Sequence, residues 1–454
     1  MGAQRQMRLG LNIVANGAHA AGWRMEQAQA DALDIRVWKK LALAAEHAKI
    51  HFMFWADGIA VRHSAQDEDE LSYNARIDVF EPLTLIGALA AVTERMGFIA
   101  SASTTYNEPY HVARKFASLD HISLGRVGWN VVTSWSEQEA YNFGRDSHMA
   151  HDLRYRRAEE FVDVVFGLWD SWEDDAFIRD KASGQYFDPA KLHTLNHTGE
   201  NFSVKGPLNI SRPLQGYPVI AQAGSSGPGQ DLGSRIADLI YTAQKTREDA
   251  VAFYGSVKAH GEAAGRSPDS MLVMPGILPI LGRTRQEAQD RFAQLQDLVH
   301  VRLGLPMLTA SFGDLSGLPL DGPLPPPVAG HNAVKSAHDV LVRLAKQPGM
   351  TISGLYKIMA GASGHNVVVG TPSDVADLME DWFTGYACDG FNIMPPFLPE
   401  PAHEAFTWLV PELQRRGLFQ TEYQGDGTLR GSLGLARPAH NSYRRKPASA
   451  KVSP

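Results

Sequence analysis

Ser118-Leu119-Asp120-His121-Ile122-Ser123-Leu124-Gly125-Arg126-Val127-Gly128-Trp129-Asn130-Val131-Val132-Thr133-Ser134 runs from the end of a helical pattern into a strand. Pro109 to Leu119 has the spacing of a helix, and Val127 to Val132 has the length and composition of a strand. Gly97 to Ala102 reads as the strand before that helix, and a long helix follows near Tyr155 to Trp172. Strand, helix, strand, helix in this order implies parallel strands joined by crossover helices. Asn130 stands among apolar strand residues, where a buried amide needs partners from its neighbours or from a ligand.

The same rhythm extends in both directions. Toward the N-terminus lie a strand over Leu9 to Ala15, a helix over Asp34 to Lys49, a strand over His51 to Ala56, and a helix over Glu81 to Thr93 with Pro82 in its first turn. Toward the C-terminus, strands are expected over Pro218 to Ala223, Leu239 to Ala243, Leu272 to Leu281 and Phe391 to Met394, with a helix from about His403 to Arg416. About eight such units suit an α/β chain closed into a (β/α)8 TIM barrel better than an open sheet. One barrel over residues 1–436 is therefore expected, with two interruptions. Lys181 to Arg212 carries turn residues and the alternation Phe202, Val204, Leu208, so it reads as a hairpin excursion. Leu303 to Gly330 is rich in Gly and Pro and reads as a long loop, the kind that serves as a lid. The polar, basic tail from Arg437 to Pro454 is expected to be poorly ordered.

Composition narrows the class. The 454 residues are 44% hydrophobic and 20% charged, and 43 basic against 50 acidic residues give a net charge of −7. That balance gives no general electrostatic reason to bind nucleic acid or an anionic membrane. The one cysteine, Cys388, rules out an intramolecular disulfide and a cysteine metal cluster. Neither a signal peptide nor a run near the ~18 apolar residues of a membrane span is evident, so a cytoplasmic protein is expected.

A barrel of this kind builds its site at the C-terminal ends of its strands. Those ends offer His19, within Asn16 to Trp23; Asp57, after Trp55; Ser101 to Tyr106, with Ser103 and Thr104; Asn130 to Ser134; and Gln222 to Gly227. The last has the clearest chemistry. Gly224-Ser225-Ser226-Gly227 entering a helix offers backbone N–H groups, hydroxyls and a helix dipole to a phosphate, although the same residues serve as an ordinary helix cap. His151 and Tyr155 lie four apart at a helix start and can face one ligand. Asp57 can accept a hydrogen bond or cap a helix, and His19 can act as an acid/base or oxygen-positioning group. Trp23, Phe54, Trp135 and Phe312 suggest an apolar pocket wall or simply core, and Arg24 can receive a carboxylate. There is no phosphate-loop GxxxxGK[ST], no HExxH, no GxSxG, and Gly125-Arg126-Val127-Gly128 is not a GxGxxG fingerprint. The histidines show no metal-binding spacing, so no metal is assigned.

The opening stretch, Ser118 to Ser134, resembles the signature of the nitrilotriacetate and dibenzothiophene-sulfone monooxygenase branch of the bacterial luciferase-like superfamily. Phe54-Trp55-Ala56-Asp57, Ser103-Thr104-Thr105-Tyr106, His151-Asp152-Leu153-Arg154-Tyr155, Gln222-Ala223-Gly224-Ser225-Ser226, Gly390-Phe391-Asn392-Ile393 and Leu433-Gly434-Leu435-Ala436-Arg437-Pro438 are similar too, in the family's order. The resemblance implies a luciferase-like barrel that binds reduced FMN at Asp57, Thr104 or the adjacent Ser103, His151, Tyr155, Ser225 and Ser226. It places Asn130 and His19 beside the flavin ring or substrate, and His331 on a lid that reaches the substrate together with Phe54. It implies O2 chemistry through a flavin (hydro)peroxide, often with C–S or C–N cleavage, a separate NAD(P)H-dependent flavin reductase, and a homodimer or homotetramer. An organosulfur or other heteroatom-containing small molecule is the expected substrate. The alternatives are a deazaflavin-dependent oxidoreductase of the same superfamily, a flavin-binding protein without catalysis, and a barrel glycosidase, which would need a second carboxylate beside Asp57.

Overall fold

The computed structural model describes residues 5–14, 16–61, 68–224, 227–328, 335–362 and 364–443. Eight parallel strands close a ring: β1 (Arg8–Ile13), β2 (Phe52–Trp55), β3 (Gly97–Ser103), β4 (Val127–Val132), β5 (Val219–Gln222), β6 (Leu239–Thr242), β7 (Leu272–Leu281) and β8 (Gly390–Ile393). Each pairs with its neighbours in sequence, and β8 returns to β1 with Phe391 opposite Leu9. A ninth strand, Asn366–Gly370, lies parallel to the C-terminal half of β7. The expected (β/α)8 barrel is what forms.

The period-two pleat sorts the side chains of each strand. Leu9, Leu11, Ile13, Met53 and Trp55 face outward into the large core shared with the surrounding helices, including Phe116, Phe161 and Trp169. Phe52, Phe54, Ile99, Val219, Ala221, Leu239, Tyr241, Leu272 and Met274 face inward. Leu429, Leu433 and Leu435 plug the end where the strands begin. Glycine makes that plug and the interior possible. A Cβ on Gly97, the first residue of β3, would lie 2.5 Å from Leu429 Cδ1, and one on Gly10 would lie 2.3 Å from both Asn392 Oδ1 and Phe52 Cε2.

Sequence patterning finds the barrel strands to within a residue or two, and β4 and β7 at their observed limits. The long helix is His151–Trp169, starting four residues before the expected Tyr155, so His151 and Tyr155 both sit in its first turns. The excursion over 181–212 contains the expected hairpin, His197–Thr198 against Ser203–Val204, with Phe202 and Leu208 buried.

Two expectations need correction. The stretch from Leu303 is not simply a loop: Val301–Gly304 and Pro306–Phe312 are helical. With Lys335–Ala345 and Ile352–Ala362 they build a second apolar cluster around Leu303, Leu308, Phe312, Leu355 and Tyr356. Leu and Phe at helical spacing supply this core despite the prolines that follow. Of the tail expected to be poorly ordered, residues 437–443 are docked, and 444–454 lie outside the described residues. Arg437 pairs with Asp174 Oδ1, and Tyr443 stacks on Phe166 at 4.3 Å and donates to Asp163 Oδ1 at 2.7 Å. Glu173, His193 and His440 meet beneath this tail with ligand atoms within 4.8 Å of one another. Hydrogen bonds account for them: His193 Nε2 to Glu173 at 2.9 Å and His440 Nε2 to the Asp170 carbonyl at 2.9 Å. No described helix is long and apolar enough to cross a membrane.

Candidate active site

The interior changes character toward the C-terminal ends of the strands. Asn12 on β1, Ser101 on β3, Asn130 on β4, Tyr241 on β6 and Asn392 on β8 are all buried there. Asn130 Nδ2 donates to Ser101 Oγ at 2.7 Å, and Ser101 Oγ donates to the Trp55 carbonyl at 2.9 Å, tying β4 to β3 and β2. Asn12 Nδ2 donates to the Tyr241 hydroxyl at 2.7 Å. Each amide is held by its nitrogen, while Asn12 Oδ1, Asn130 Oδ1 and Asn392 Oδ1 have no partner. An unpaired buried acceptor costs roughly 1–3 kcal/mol; Asn12 Oδ1 and Asn130 Oδ1 lie open toward this end, while Asn392 Oδ1 lies deeper, against Gly10 and the Phe52 ring.

His19 stands above them in the loop after β1 and is 2% exposed. Its Nδ1 accepts from the Ala21 N–H at 3.2 Å, which assigns the ring proton to Nε2. Nε2 is buried with no partner, a free N–H donor. Burial, and then the charge of Arg76, push the imidazole down to about 4, so it is neutral near pH 7. Backbone bonds fix the loop: the His19 N–H to the Pro396 carbonyl at 3.0 Å, and the Ala20 N–H to the Ala360 carbonyl of the insertion at 2.8 Å. Ala20 and Ala21 belong to the insertion's apolar cluster, so this second core covers the His19 side of the mouth.

On the opposite side, β3 and β4 end in a stitched rim. Ser103 Oγ shares a hydrogen bond with Ser134 Oγ at 2.8 Å, and Thr104 Oγ1 donates to the Val132 carbonyl at 3.2 Å. Tyr106 bonds His148, and Arg154 donates to both His148 Nε2 and the Ser134 carbonyl. The His151 and Tyr155 rings lie 4.9 Å apart. Tyr155 reaches across to the turn after β5, where a Cβ on Gly229 would sit 3.0 Å from its hydroxyl and one on Gly224 3.2 Å. The two glycines therefore leave room for the phenol beside the start of helix Gly227–Ile236. A phenol hydroxyl and a helix start meet at this turn.

The profile described as "Luciferase-like monooxygenase" matches residues 16–387. The chain belongs to the luciferase-like monooxygenase family. It is 49% identical over 441 residues to N-acetyl-S-(2-succino)cysteine monooxygenase of Bacillus subtilis (strain 168), covering 96% of this chain and 98% of that one. It is 47% identical over 449 residues to nitrilotriacetate monooxygenase component A of Aminobacter aminovorans, covering 97% and 99%. Among solved structures, riboflavin lyase (RcaE) with modified FMN and riboflavin superimposes with a TM-score of 0.84 at 30% identity, covering 97% of this chain and 100% of that one. The resemblance to the nitrilotriacetate branch thus holds over nearly the whole luciferase-like chain, and the protein is a monooxygenase by family.

Of the residues singled out in the sequence, the fold brings His19 and Asn130 to the mouth, and Ser103, Thr104, His151 and Tyr155 to its β3–β5 rim. Asp57, half-buried, lines a cavity beside the end of β2 with Trp38, Trp55, Phe80 and Leu85. Phe54 lies within the barrel, 1% exposed and 5.3 Å from the Tyr241 ring, so it forms floor and not wall. Phe312 is buried in the insertion's core, Trp23 and Trp135 are largely exposed, and Arg24 donates to the Leu298 carbonyl. Ser225, Ser226 and His331 lie outside the described residues. Sequence reading missed Asn12, Tyr241 and His365. Asn12 and Asn392 carry the same signal as Asn130, an amide within an apolar strand. His365 lies between the insertion and the ninth strand, where no pattern pointed to the barrel.

Proposed function

We infer that this protein is a two-component monooxygenase that binds reduced FMN at the C-terminal mouth of the barrel and uses O2 to oxidise a small organic substrate. The observation that carries this reading is the partnerless buried atoms Asn12 Oδ1 and Asn130 Oδ1 in the strands, with His19 Nε2 in the loop after β1, at the same end of the barrel as the Tyr155 turn. Acceptors below and a neutral donor beside them suit a ring system edged with N–H and carbonyl groups, and the helix start at that turn suits its phosphate. Tyr155, His151, Ser225 and Ser226 would hold that phosphate, and Asp57, Ser103, Thr104 and Asn130 the ribityl chain and ring. Bound reduced FMN would supply the two electrons by which one atom of O2 enters the substrate and the other leaves as water.

The chain's own residues do the rest. Asn130, clamped through Ser101 to β2, presents a fixed acceptor that needs no reorganisation. His19 offers an Nε2 donor that stays neutral and oriented by Ala21, suited to hold a developing oxyanion or to pass one proton. The insertion packed on Ala20 and Ala21 excludes water from that side, which protects oxygen chemistry from hydrolysis and stray protons. Hydroxylation of a carbon bonded to sulfur or nitrogen gives a product that breaks to a carbonyl and a thiol or amine. C–S or C–N cleavage is therefore the expected outcome for a substrate with such a bond, as the compounds in the two relatives' names have. The name component A places that relative in a multi-component system, and we assign this protein a separate NAD(P)H-dependent flavin reductase as partner, in the cytoplasm where NAD(P)H renews the reduced flavin. Supplying the protein with FMN, NADH and a flavin reductase under labelled O2 tests this. One labelled oxygen should enter N-acetyl-S-(2-succino)cysteine or nitrilotriacetate products, and flavin reoxidation without any oxygenated product from a substrate panel would refute monooxygenation.

A further inference from the structure

The side of the mouth formed by β1, β6, β7 and β8 has a charge pattern that flavin binding does not use. The five residues following β1, β6 and β8 contain no carboxylate: Val14 to Ala18, Ala243 to Arg247 and Met394 to Leu398. Cations stand there instead. Arg76 donates to the Ala18 carbonyl beside His19. Lys245 follows β6 by three residues and is half-buried. Among the described residues it has neither a hydrogen bond nor an ion pair, and the charged group that bears on it is Arg343, a second cation, from insertion helix Lys335–Ala345. Burial and that neighbour hold the Lys245 ammonium below its usual range. Lys258 shows the contrast. It is also largely buried, but its Nζ donates to Asp389 Oδ2 at 3.0 Å and the Pro268 carbonyl at 2.9 Å. A half-buried lysine without an acid is costly unless an anion arrives.

The charge of Lys245 bears on His365, which forms a fixed floor with Tyr241. The Tyr241 hydroxyl is 3.2 Å from His365 Nε2, and the two rings stack at 5.2 Å and 20°. Tyr241 is anchored by Asn12, and Gly276 of β7 lets the imidazole close down, since a Cβ there would lie 2.4 Å from His365 Nδ1. That Nδ1 is shut off from solvent and has no partner.

We propose that Lys245 is the specificity-determining residue that receives a carboxylate of the substrate, above a positioning floor of His365, Tyr241 and Asn12, so that the enzyme takes small carboxylate-bearing molecules. Lys245 comes from the barrel and Arg343 from the insertion, so both can add positive charge to this side of the mouth. The proposal rests on the mouth being the reaction site, and it adds the chemical class of what enters beside the flavin.

Anaerobic calorimetric titration with succinate, and with uncharged dimethyl succinate, tests it on the protein with and without reduced FMN. Succinate should bind saturably and the diester should not. Lys245→Gln should weaken succinate binding at least tenfold, and Lys245→Arg should stay within a few-fold of the parent. Both variants should keep the parent's affinity for reduced FMN and its melting temperature. His365→Asn, which removes the floor and not the charge, should weaken succinate less than Lys245→Gln. Equal binding by the parent and Lys245→Gln, no succinate binding, or diester binding as tight as the acid's would overturn the proposal. A failure of reduced FMN to bind while succinate binding still depends on Lys245 would refute the flavin reading and leave the anion receptor standing.

Discussion

The two ends of the barrel bury polar groups differently. At the end where the strands begin, Arg126 is 2% exposed, and its guanidinium spends all five N–H donors: on Ser123, Thr93 Oγ1 and carbonyl, Met96 and Ala90, at 2.6–3.0 Å. Gln215 beside it donates to Asp120 Oδ1 at 2.7 Å and accepts from the Arg430 N–H at 2.9 Å, and Leu429, Leu433 and Leu435 close the barrel. At the other end, Asn12, Asn130, His19 and His365 each keep one buried atom without a partner. The Arg126 guanidinium is satisfied by its own chain and contributes rigidity, although Arg430 Nε and His51 Nε2 near the same end are also without a partner; acceptors left open at the mouth can be completed by a ligand. Arg126 and Asn130 stand four positions apart in the opening stretch, and they belong to these two regimes.

Substitutions at the two ends should separate stability from function. Leu429→Ala removes the plug side chain that packs over Gly97 of β3 and should cost roughly 2–5 kcal/mol in chemical denaturation, with turnover per folded molecule unchanged. A large loss of turnover in protein that remains folded would show that the plug reaches the site. His19→Ala should do the reverse, lowering kcat about 100-fold, equivalent to ~2.7 kcal/mol, while the protein stays folded and still retains reduced FMN. Full turnover by that variant would remove His19 from the chemistry.

The pH response sharpens the contrast further. His19 and His365 are both pushed down to about 4, chiefly by burial. An unfolded histidine binds its proton near 6.5, so each native site loses stability as pH falls from about 6.5 toward 4, by about 2 kcal/mol each at pH 5. His19→Asn and His365→Asn should each flatten this slope in denaturation measured from pH 7 to 5; an unchanged slope would mean the rings are solvated. The smallest effect belongs to the rim. Tyr155→Phe should weaken reduced FMN about tenfold by removing one hydroxyl from the turn after β5, and Gly229→Ala should do much the same by crowding it. Unaltered titrations of both would place the phosphate elsewhere.

The barrel was legible because its strands are apolar and evenly interleaved with helical periods, and pairing follows from that order. Asn130 was legible for a related reason, since an amide in an apolar strand is conspicuous. The insertion was misread because its glycines and prolines outweighed the Leu and Phe that build its core. Lys245 and His365 gave no local signal: one sits in a polar loop and the other between two elements. What makes them interesting is an absent acid and a stacked tyrosine, and both arise only when β6 and β7 are brought side by side.

The central claim is that the open end of the barrel is completed by reduced flavin. Anaerobic titration of the protein with reduced FMN, in parallel with Asn130→Leu, tests it most directly. The account predicts saturable binding of one reduced FMN per chain, weakened at least tenfold in the variant. Absence of binding, or preference for a reduced deazaflavin over reduced FMN, would contradict it.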